Sequence, residues 1–591
     1  MANPQSLTFT AGQFTTASST PVAKAQALSK ADQKKLQKRF KDLMKLANRK
    51  IMAEDLDEAE LLLKEAQKIA PDNEELLNNY ANLHLHRKRF DLAVVPLMKI
   101  LAKNPQHSMA YANLGAIMNK WQDFPGARKC FEKALKCDTK NSVAAMRLMH
   151  NSLQLSAWDN WDDLDSYKKL FYEKISTMDP GIFLPIVDDP ALQKAKSETY
   201  FNGLVGDVPQ NRPAPRQRGE GDKIRLGYFS SDFHKHATMW LMIRMLELHD
   251  RERFEIFIYD YSTTADEMTE RAKNAADHYR VVRRMSDEEV VALAQADGID
   301  IAIDLKGYTS GHRTPIVFKN PAPVNVSYIG YPGTIGSSKL DYIVADEVMI
   351  PPSLRKYYSE KIIYMPDCYQ VTNDQRNVAT KIPTRAELGL PEDAFVFCSF
   401  NSHYKITPFE YEIWMRLLKK VDNSVMWIWC KEDLARENMH KAAEAHGVAP
   451  ERVIFADSVS QEDHLARLSQ ADLFLDTFAV CAHTTASDAM WMGLPLVTLE
   501  GKQFAARVAS SVLQTMDLPE LVTTTMEEYE AVALEFATNP DKLAAVRAKI
   551  KTNRETSPMF KTERFTRNWE QQLERALVRC ESGLKPDHLM P

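Results

Sequence analysis

A 34-residue period near the start of the chain constrains its fold more than any other sequence feature. Small residues recur at this spacing in two columns, Ala47, Ala81 and Gly115 in the first and Ala59, Ala93 and Ala127 in the second. A third column holds Pro71, Pro105 and Thr139. Small side chains at a fixed interval indicate close helix crossings, and proline lacks the N–H that a continuing helix needs. The period therefore predicts a stack of helical hairpins.

Thirty-four residues is the period of the tetratricopeptide repeat, which has two antiparallel helices per unit. We expect about three such repeats over residues 34–150. Stacked repeats form a curved surface that binds proteins or peptides. The alternative is a solubilising or dimerising spacer, so a homodimer is also allowed. The charges that alternate on the outer positions indicate a solvated face.

The segments that flank the repeats have little periodicity. Residues 1–33 are rich in Ser, Thr and Ala and lack the charged start and apolar stretch of a secretory signal. They are predicted to be a disordered tail, with a modified tail as the alternative. Residues 151–222 are predicted to be a helical bridge that ends in a linker, because residues 209–222 are rich in Pro, Gly and charge.

Short apolar runs alternate with helical patterns in the rest of the chain. Runs begin at Ile224, Phe254 and Ile299 in one series, and at Phe395, Met426, Val453, Leu473 and Leu496 in another. This alternation predicts two lobes with parallel sheets, residues 223–385 and 386–560, and a C-terminal helix and tail at 561–591. The fold class is thus α plus α/β, an α-solenoid followed by two Rossmann-like lobes. Ligands of such lobes bind beyond the carboxyl ends of the strands.

Bulk composition excludes several functions. The 591 residues carry a formal net charge of −5, which argues against general nucleic-acid binding. The 7 cysteines include no CxxC pair, which argues against a zinc knuckle and fits a reducing cytoplasm. No apolar run approaches the roughly 20 residues of a spanning helix. Neither lobe has a GxGxxG or P-loop motif, so dinucleotide dehydrogenases and P-loop NTPases are disfavoured.

Polar residues follow several predicted strands and are candidates for a site. Thr484 and Thr485 begin a helix, whose unpaired N–H groups bind phosphate oxygens, although they can equally be simple caps. Lys405 can supply charge to a diphosphate leaving group, but most lysines after strands are surface residues. His236 is a candidate acid, base or positioning group, although a lone histidine is more often structural. Gly330, Pro332 and Gly333 form a turn that lets backbone approach a ligand.

From about Trp158 to its end, the chain resembles the O-GlcNAc transferase family, which joins tetratricopeptide repeats to a two-lobed GT-B glycosyltransferase. The matching stretches are Leu226–Phe233, Gly330–Thr334, Asp341–Ile343, Tyr358–Lys361, Tyr364–Pro366, Phe400–Asn401, Tyr404–Lys405, His483–Thr485, Asp488, Arg507–Ala509 and Lys585–His588. Their order and spacing match as well.

The resemblance implies a hexosyltransferase that moves a sugar from a nucleotide-sugar to Ser or Thr and inverts the configuration of its anomeric carbon. It also implies that the transfer needs no metal or other cofactor. It implies these roles: His236 at the lobe interface as base or positioning group; Lys405 for the diphosphate; His483, Thr484 and Thr485 at the phosphate-binding helix; Asp488 at the ribose; His464 and Arg467 beside the base; Gly330, Pro332, Gly333 and Thr334 in a sugar-side loop. Asp304, Lys306, Tyr308 and Arg313 are further candidates on the sugar or acceptor side.

Two departures from the family pattern leave the donor open. Ser402 stands where animal members have a glutamine beside the diphosphate, and Gln461 replaces a base-contacting lysine. UDP-GlcNAc is the expected donor. A CMP-nonulosonate or a GDP-sugar, with flagellin as a potential acceptor, is the alternative for what looks like a bacterial-type member. An inactive repeat scaffold is the alternative from another class, and the retained His236 and Lys405 disfavour it.

Overall fold

A computed structural model describes residues 29–52, 55–175, 178–205 and 212–591 of the chain. Residues 1–28 of the predicted disordered tail lie outside the described residues. Its residues 30–33 belong to a helix that begins at Lys30. Seven helices follow one another in the first part of the described chain: α1 (Lys30–Met52), α2 (Leu56–Ile69), α3 (Glu74–His86), α4 (Phe90–Lys103), α5 (Ser108–Lys120), α6 (Phe124–Cys137) and α7 (Ser142–Leu155).

The small-residue columns lie where these helices cross. The alanines of both columns are fully buried. At Gly115 an added Cβ would lie only 2.5 Å from Cε1 of Phe131, so no larger residue fits between α5 and α6. Pro71 and Pro105 lie in the turns after α2 and α4. The period therefore marks helix pairs, as predicted, and α7 adds one further helix at the end of the stack.

The bridge connects the repeats to both lobes. It contains α8 (Leu164–Glu173), α9 (Pro190–Leu204) and short 3₁₀ turns at Trp161–Asp163 and Pro180–Ile182. Before α8, the ring of Trp158 packs 4.9 Å from that of Tyr411 in the second lobe. The Asp188 carboxylate accepts hydrogen bonds from the backbone N–H groups of Lys502 and Gln503, at 2.8 and 2.7 Å. The repeats are thus held on the second lobe by packed and hydrogen-bonded contacts.

The described part of the linker, residues 212–222, is coil but lies fixed on the first lobe. Arg212 pairs with Asp341 at 2.5 Å, and Arg216 pairs with Asp300 at 2.7 Å. Both aspartates are buried and lie just before strands, at the amino ends of the sheet. The linker therefore crosses the first lobe on the side away from the carboxyl ends of its strands.

The first lobe is a seven-stranded sheet with neighbouring strands parallel, in the order β3-β2-β1-β4-β5-β6-β7. Its strands are β1 (Ile224–Ser230), β2 (Phe254–Asp260), β3 (His278–Val281), β4 (Ile301–Asp304), β5 (Val324–Ser327), β6 (Tyr342–Ala345) and β7 (Lys361–Tyr364). Its helices are α10 (Ala237–Leu248), α11 (Glu267–Asn274), α12 (Asp287–Ala296) and α13 (Pro315–Phe318). Helices on both faces bury the apolar strands, as a parallel sheet requires.

The second lobe is a six-stranded parallel sheet in the order β10-β9-β8-β11-β12-β13. Its strands are β8 (Phe395–Ser399), β9 (Ser424–Trp429), β10 (Val453–Ala456), β11 (Leu473–Leu475), β12 (Leu496–Leu499) and β13 (Val522–Thr523). Its helices are α14 (Pro408–Lys420), α15 (Asp433–Ala445), α16 (Gln461–Leu468), α17 (Thr484–Met492), α18 (Val508–Thr515), α19 (Met526–Thr538) and α20 (Pro540–Thr556).

The chain then returns to the first lobe. Helix α21 (Thr562–Glu581) packs against α10. Its Trp569 Nε1 donates to the hydroxyl of Tyr228 in β1 at 3.0 Å, and its Glu570 carboxylate bonds at 2.9 Å to the buried His249, which directly follows α10. Beyond it, the backbone of Leu589 pairs with β7. The segment predicted as a C-terminal helix and tail is therefore an integral part of the first lobe. In the described residues, no helix is long and apolar enough to cross a membrane.

Candidate active site

A cavity of about 660 Å³ lies between the lobes, at the carboxyl ends of both sheets. The first lobe contributes His236, Tyr308, Gly330 and Pro332 to its walls, and the second contributes Ser402, Lys405, His483, Thr484 and Thr485. The structure thus brings nine of the predicted site residues together. Helix α7 and the bridge complete the wall with His150, Gln154 and Asp179, which the sequence did not single out.

The second-lobe wall is organised by a buried carboxylate that does not itself line the cavity. Asp476, directly after β11, accepts hydrogen bonds from the side chains of Asn401 (2.9 Å) and Thr498 (2.7 Å) and from the backbone N–H of Ala482 (2.7 Å). Asn401 in turn accepts from the Thr485 hydroxyl at 2.7 Å. This network fixes the loop that leads into α17, so the unpaired N–H groups of its first turn face the cavity.

Lys405 lies beside that helix start, at the end of a 3₁₀ turn that follows β8. Its side chain forms no ion pair within the described residues, although it is half-buried. Its charge is close enough to act on His483, whose pKa falls to about 3 because of burial and, second, because of Lys405. An unpaired ammonium group and a helix N-terminus therefore meet at one point, which favours binding of an anion.

His236 faces these groups from the first lobe. It caps α10, and its Nδ1 accepts the backbone N–H of Thr238 at 3.2 Å. Burial lowers the pKa of His236, which Asp232, 3.5 Å away, opposes. Asp232 is itself held by Lys306, whose Nζ lies 2.9 Å from both carboxylate oxygens. With Nδ1 accepting, the neutral ring carries its proton on Nε2 and offers a hydrogen-bond donor to the cavity.

The loop Gly330–Thr334 divides its residues between the cavity and its own anchors. An added Cβ at Gly330 would lie 2.2 Å from the carbonyl oxygen of Leu305, so only glycine allows this close approach. Gly333 lies against the Gln193 side chain of α9, and the Thr334 hydroxyl donates to the buried Glu360 at 2.6 Å. Gly333 and Thr334 thus hold the loop in place and lie outside the cavity lining, and their contact with a donor stays a prediction.

Three candidates for the sugar or acceptor side also lie outside the cavity. Asp304 is fully buried and accepts from the backbone N–H groups of Lys306 (3.0 Å) and Gly307 (3.1 Å), and burial raises its pKa to about 6. Lys306 is turned onto Asp232. Arg313 is bound to Asp287 and to two backbone carbonyls. These three residues shape the loop after β4, and only Tyr308 of the group reaches the cavity.

The residues expected at the nucleoside form a separate layer behind the main cavity. His464 packs against Phe400, with ring centroids 5.1 Å apart, and its Nδ1 accepts from Arg467 at 3.2 Å. Asp488 is buried and its Oδ1 lies 2.5 Å from Nη1 of Arg376. Gln461 donates to the other oxygen of Asp488 at 3.2 Å. Arg376, which comes from the connection between the lobes, was not among the predicted residues.

Gln370 is a second residue that the sequence did not indicate. It lines the cavity and is almost fully buried, yet among the described residues neither its side-chain nitrogen nor its oxygen has a hydrogen-bond partner. A buried, unpaired amide is costly. It therefore marks a place where a polar ligand would be favourable.

Comparison with known proteins agrees with this geometry. The model of Glycosyl transferase family 41 matches residues 207–382 and 372–569, and that of the tetratricopeptide repeat matches residues 50–118. The chain belongs to glycosyl transferase family 41. The two sheets and the cavity between them are the GT-B fold of this family 41 protein.

Two curated proteins are similar in sequence to this chain. It is 36% identical over 388 residues to the probable UDP-N-acetylglucosamine--peptide N-acetylglucosaminyltransferase SEC of Arabidopsis thaliana, covering 64% of this chain and 40% of that protein. It is 29% identical over 484 residues to the UDP-N-acetylglucosamine--peptide N-acetylglucosaminyltransferase of Caenorhabditis elegans, covering 62% and 42%. The chain therefore spans about two fifths of the length of these curated relatives.

The solved structure supports the fold. A mutant O-GlcNAc transferase of Thermobaculum terrenum aligns with a TM-score of 0.67 and 24% identity, over 93% of this chain and 99% of that one. The described residues of the family 41 protein contain no group of three or more side chains arranged to hold a metal ion.

Proposed function

We propose that this family 41 protein transfers N-acetylglucosamine from UDP-GlcNAc to Ser or Thr hydroxyls of proteins. The observation that carries the proposal is the unpaired Lys405 beside the start of α17, in a cavity between two Rossmann-like lobes. A nucleotide-sugar releases a diphosphate, and this leaving group needs positive charge where its own charge develops. Lys405 and the N–H groups of Thr484 and Thr485 would supply it.

Each wall of the cavity then has a role. His236 offers a donor N–H toward the donor sugar or its phosphate, and the close approach at Gly330 lets the loop backbone contact the sugar. Ser402, beside Lys405, is a small group where the diphosphate would lie. The buried Gln370 amide is available to the sugar or the acceptor.

The nucleoside is proposed to lie toward the layer of His464, Arg467 and Asp488. In the structure Arg376 already pairs with Asp488. A ribose that binds Asp488, as the family resemblance implies, must therefore share that carboxylate with Arg376. This requirement ties the connection between the lobes to nucleotide binding.

The repeats are proposed to recruit the acceptor. Helix α7 contributes His150 and Gln154 directly to the cavity wall, so a polypeptide bound along the repeats would reach the site at this helix. Flagellin as acceptor, a homodimer and a cytoplasmic location remain predictions from the sequence.

Thermal-shift measurements with UDP, UDP-GlcNAc, GDP and CMP, with EDTA present, test the donor and the metal independence together. A ligand that binds the folded state raises the melting temperature by mass action. We expect stabilisation by UDP and UDP-GlcNAc alone, and transfer of labelled GlcNAc to members of a Ser/Thr peptide library. Stabilisation by CMP or GDP instead would replace the donor by a CMP-nonulosonate or a GDP-sugar. Binding without any transfer would indicate an inactive scaffold.

A further inference from the structure

One carboxylate lines the cavity within the described residues, and it comes from neither lobe. Asp179 lies in the bridge, directly before the 3₁₀ turn Pro180–Ile182. This turn is seated on the first lobe, since a Cβ added at Gly181 would lie 3.4 Å from the carbonyl oxygen of Tyr308. Asp179 thus stands beside the Tyr308 and Gly330–Pro332 wall, where the donor sugar is proposed to bind.

The two oxygens of this carboxylate differ in their surroundings. Oδ1 accepts the backbone N–H of Gly181 at 2.8 Å, which fixes the side chain. Oδ2 has no hydrogen-bond partner within the described residues, and the side chain is only half-buried. One oxygen is therefore held in place while the other is free to accept a proton from a group in the cavity.

The charge around Asp179 suits proton acceptance at neutral pH. Burial raises its pKa to about 6, while the Gly181 N–H and Lys120 of α5 act in the opposite direction. The other titratable side chains that line the cavity are His150 on α7, His236, Tyr308, Tyr331 and Tyr369 on the first lobe, and Tyr404, Lys405 and His483 on the second. The carboxylate is thus ionised at pH 7 but more basic than an ordinary aspartate.

The histidines of the cavity are poorer acceptors. Nδ1 of His236 is occupied by the Thr238 N–H, so its remaining nitrogen is a donor. His483 has Nε2 at 3.1 Å from the Ala505 carbonyl oxygen, and its pKa is lowered to about 3, chiefly by burial. Burial lowers the pKa of His150 to about 4. Because such nitrogens are weak bases, transfer of a hydroxyl proton to them is unfavourable.

We propose that Asp179 is the general base that removes the proton from the acceptor hydroxyl. The hydroxyl oxygen forms the new bond to the anomeric carbon of the donor sugar, and the bond from that carbon to the phosphate oxygen breaks. The bonding electrons leave with the nucleoside diphosphate, and the hydroxyl proton passes to Oδ2 of Asp179, which returns it to solvent. This inference rests on the proposed transfer reaction and assigns the base to the bridge between the repeats and the catalytic lobes.

The variant Asp179→Asn tests it, because the amide oxygen can still accept the Gly181 N–H and preserve the turn. We expect kcat to fall by about 10²–10⁴-fold, the range for loss of a general base. The KM for UDP-GlcNAc and the thermal shift with UDP should remain as in the wild type. The wild-type kcat/KM should fall tenfold per pH unit below about pH 6, and this acidic limb should be absent from the variant.

Asp189→Asn is the matched control, since Asp189 caps α9 ten residues away and lies outside the cavity lining. It should transfer sugar at the wild-type rate. Retention of the wild-type rate or of the acidic limb by Asp179→Asn would overturn the proposal, and so would a rate lost together with UDP binding. If the wild-type protein neither binds UDP nor transfers sugar, the proposed function itself fails. The control variant would then also lack UDP binding and sugar transfer.

Discussion

The buried pair between Arg376 and Asp488 offers the sharpest test of how the second lobe is held together. Their side chains are 6% and 4% exposed, and Arg376 also donates to the Ser487 hydroxyl at 3.0 Å. The variant Arg376→Met keeps most of the volume but leaves the Asp488 charge buried. Within the part of the chain that the structure describes, the side-chain amide of Gln461, at 3.2 Å, is then its one remaining side-chain hydrogen-bond donor. Removing one partner of a buried pair costs about 3–5 kcal/mol.

This cost converts to a measurable shift in melting temperature. For a lobe of this size, 1 kcal/mol lowers the melting temperature by about 2–4 °C, so we expect a decrease of about 6–20 °C by differential scanning calorimetry. Burial already raises the pKa of Asp488, and the loss of Arg376 should raise it further. A raised pKa in the folded state means that the penalty is fully present above that pKa and declines as the pH falls through it. The penalty is gone once the pH lies below the unfolded-state pKa of about 3.9, because the side chain is then neutral in both states.

A double-mutant cycle distinguishes the ion pair from general damage. In the background Asp488→Asn, Arg376→Met should cost less than it does in the wild type, because the buried negative charge is already gone. A melting temperature unchanged by Arg376→Met, or losses that add without coupling, would refute the reasoning. Weaker UDP stabilisation in Arg376→Met would further connect the pair to the nucleoside.

Three other substitutions have expected outcomes that follow directly from the cavity. Lys405→Met should lower kcat by about 10²–10³-fold, because it removes positive charge beside the leaving group. The melting temperature without nucleotide should stay the same or rise, because the charge that is lost is half-buried. An unchanged transfer rate in a radiolabelled assay would contradict the active-site assignment. Gly330→Ala should lose about 1–3 kcal/mol of stability by calorimetry, because its Cβ meets backbone oxygen, whereas Gly219→Ala, with its nearest atom at 3.6 Å, should be neutral; equal effects would rule out the steric argument. Gln370→Met should stabilise the protein without nucleotide, since an unpaired amide disappears, and should weaken UDP-GlcNAc or acceptor binding in titrations; an unaltered affinity for both would show that the amide contacts neither.

Much of the fold could be predicted because its signals are local. The repeat period shows in single small residues, and the strands that begin at Ile224, Phe254 and Phe395 are apolar runs buried on both faces. Other strands carry no such signal. The edge strand His278–Val281 is polar and mostly half-exposed, and Val522–Thr523 has only two residues, so neither stands out from a loop.

The candidate site was predictable where its residues follow strands or begin a helix, as Lys405 and Thr484 do. Asp304, Lys306 and Arg313 lie outside the cavity lining because their side chains turn to partners within their own region of the first lobe. Their place on the sugar or acceptor side stays a prediction. Asp179 and Arg376 lie in irregular segments, where sequence spacing gives no indication of which wall a side chain will join. Their positions depend on contacts between segments that are far apart in the chain.

The return of the chain to the first lobe determines where this protein can be divided. The connection that leaves the first lobe at Thr372 and the segment that comes back at Thr562 are bonded to each other, the Thr562 hydroxyl donating to the Thr372 carbonyl oxygen at 2.7 Å. A cut at the apparent boundary between the lobes would therefore leave the first lobe without α21 and expose the Tyr328 and Trp569 rings, whose centroids are 4.5 Å apart. Because two adjacent segments join the lobes, a cut in either one of them would leave the lobes connected through the other.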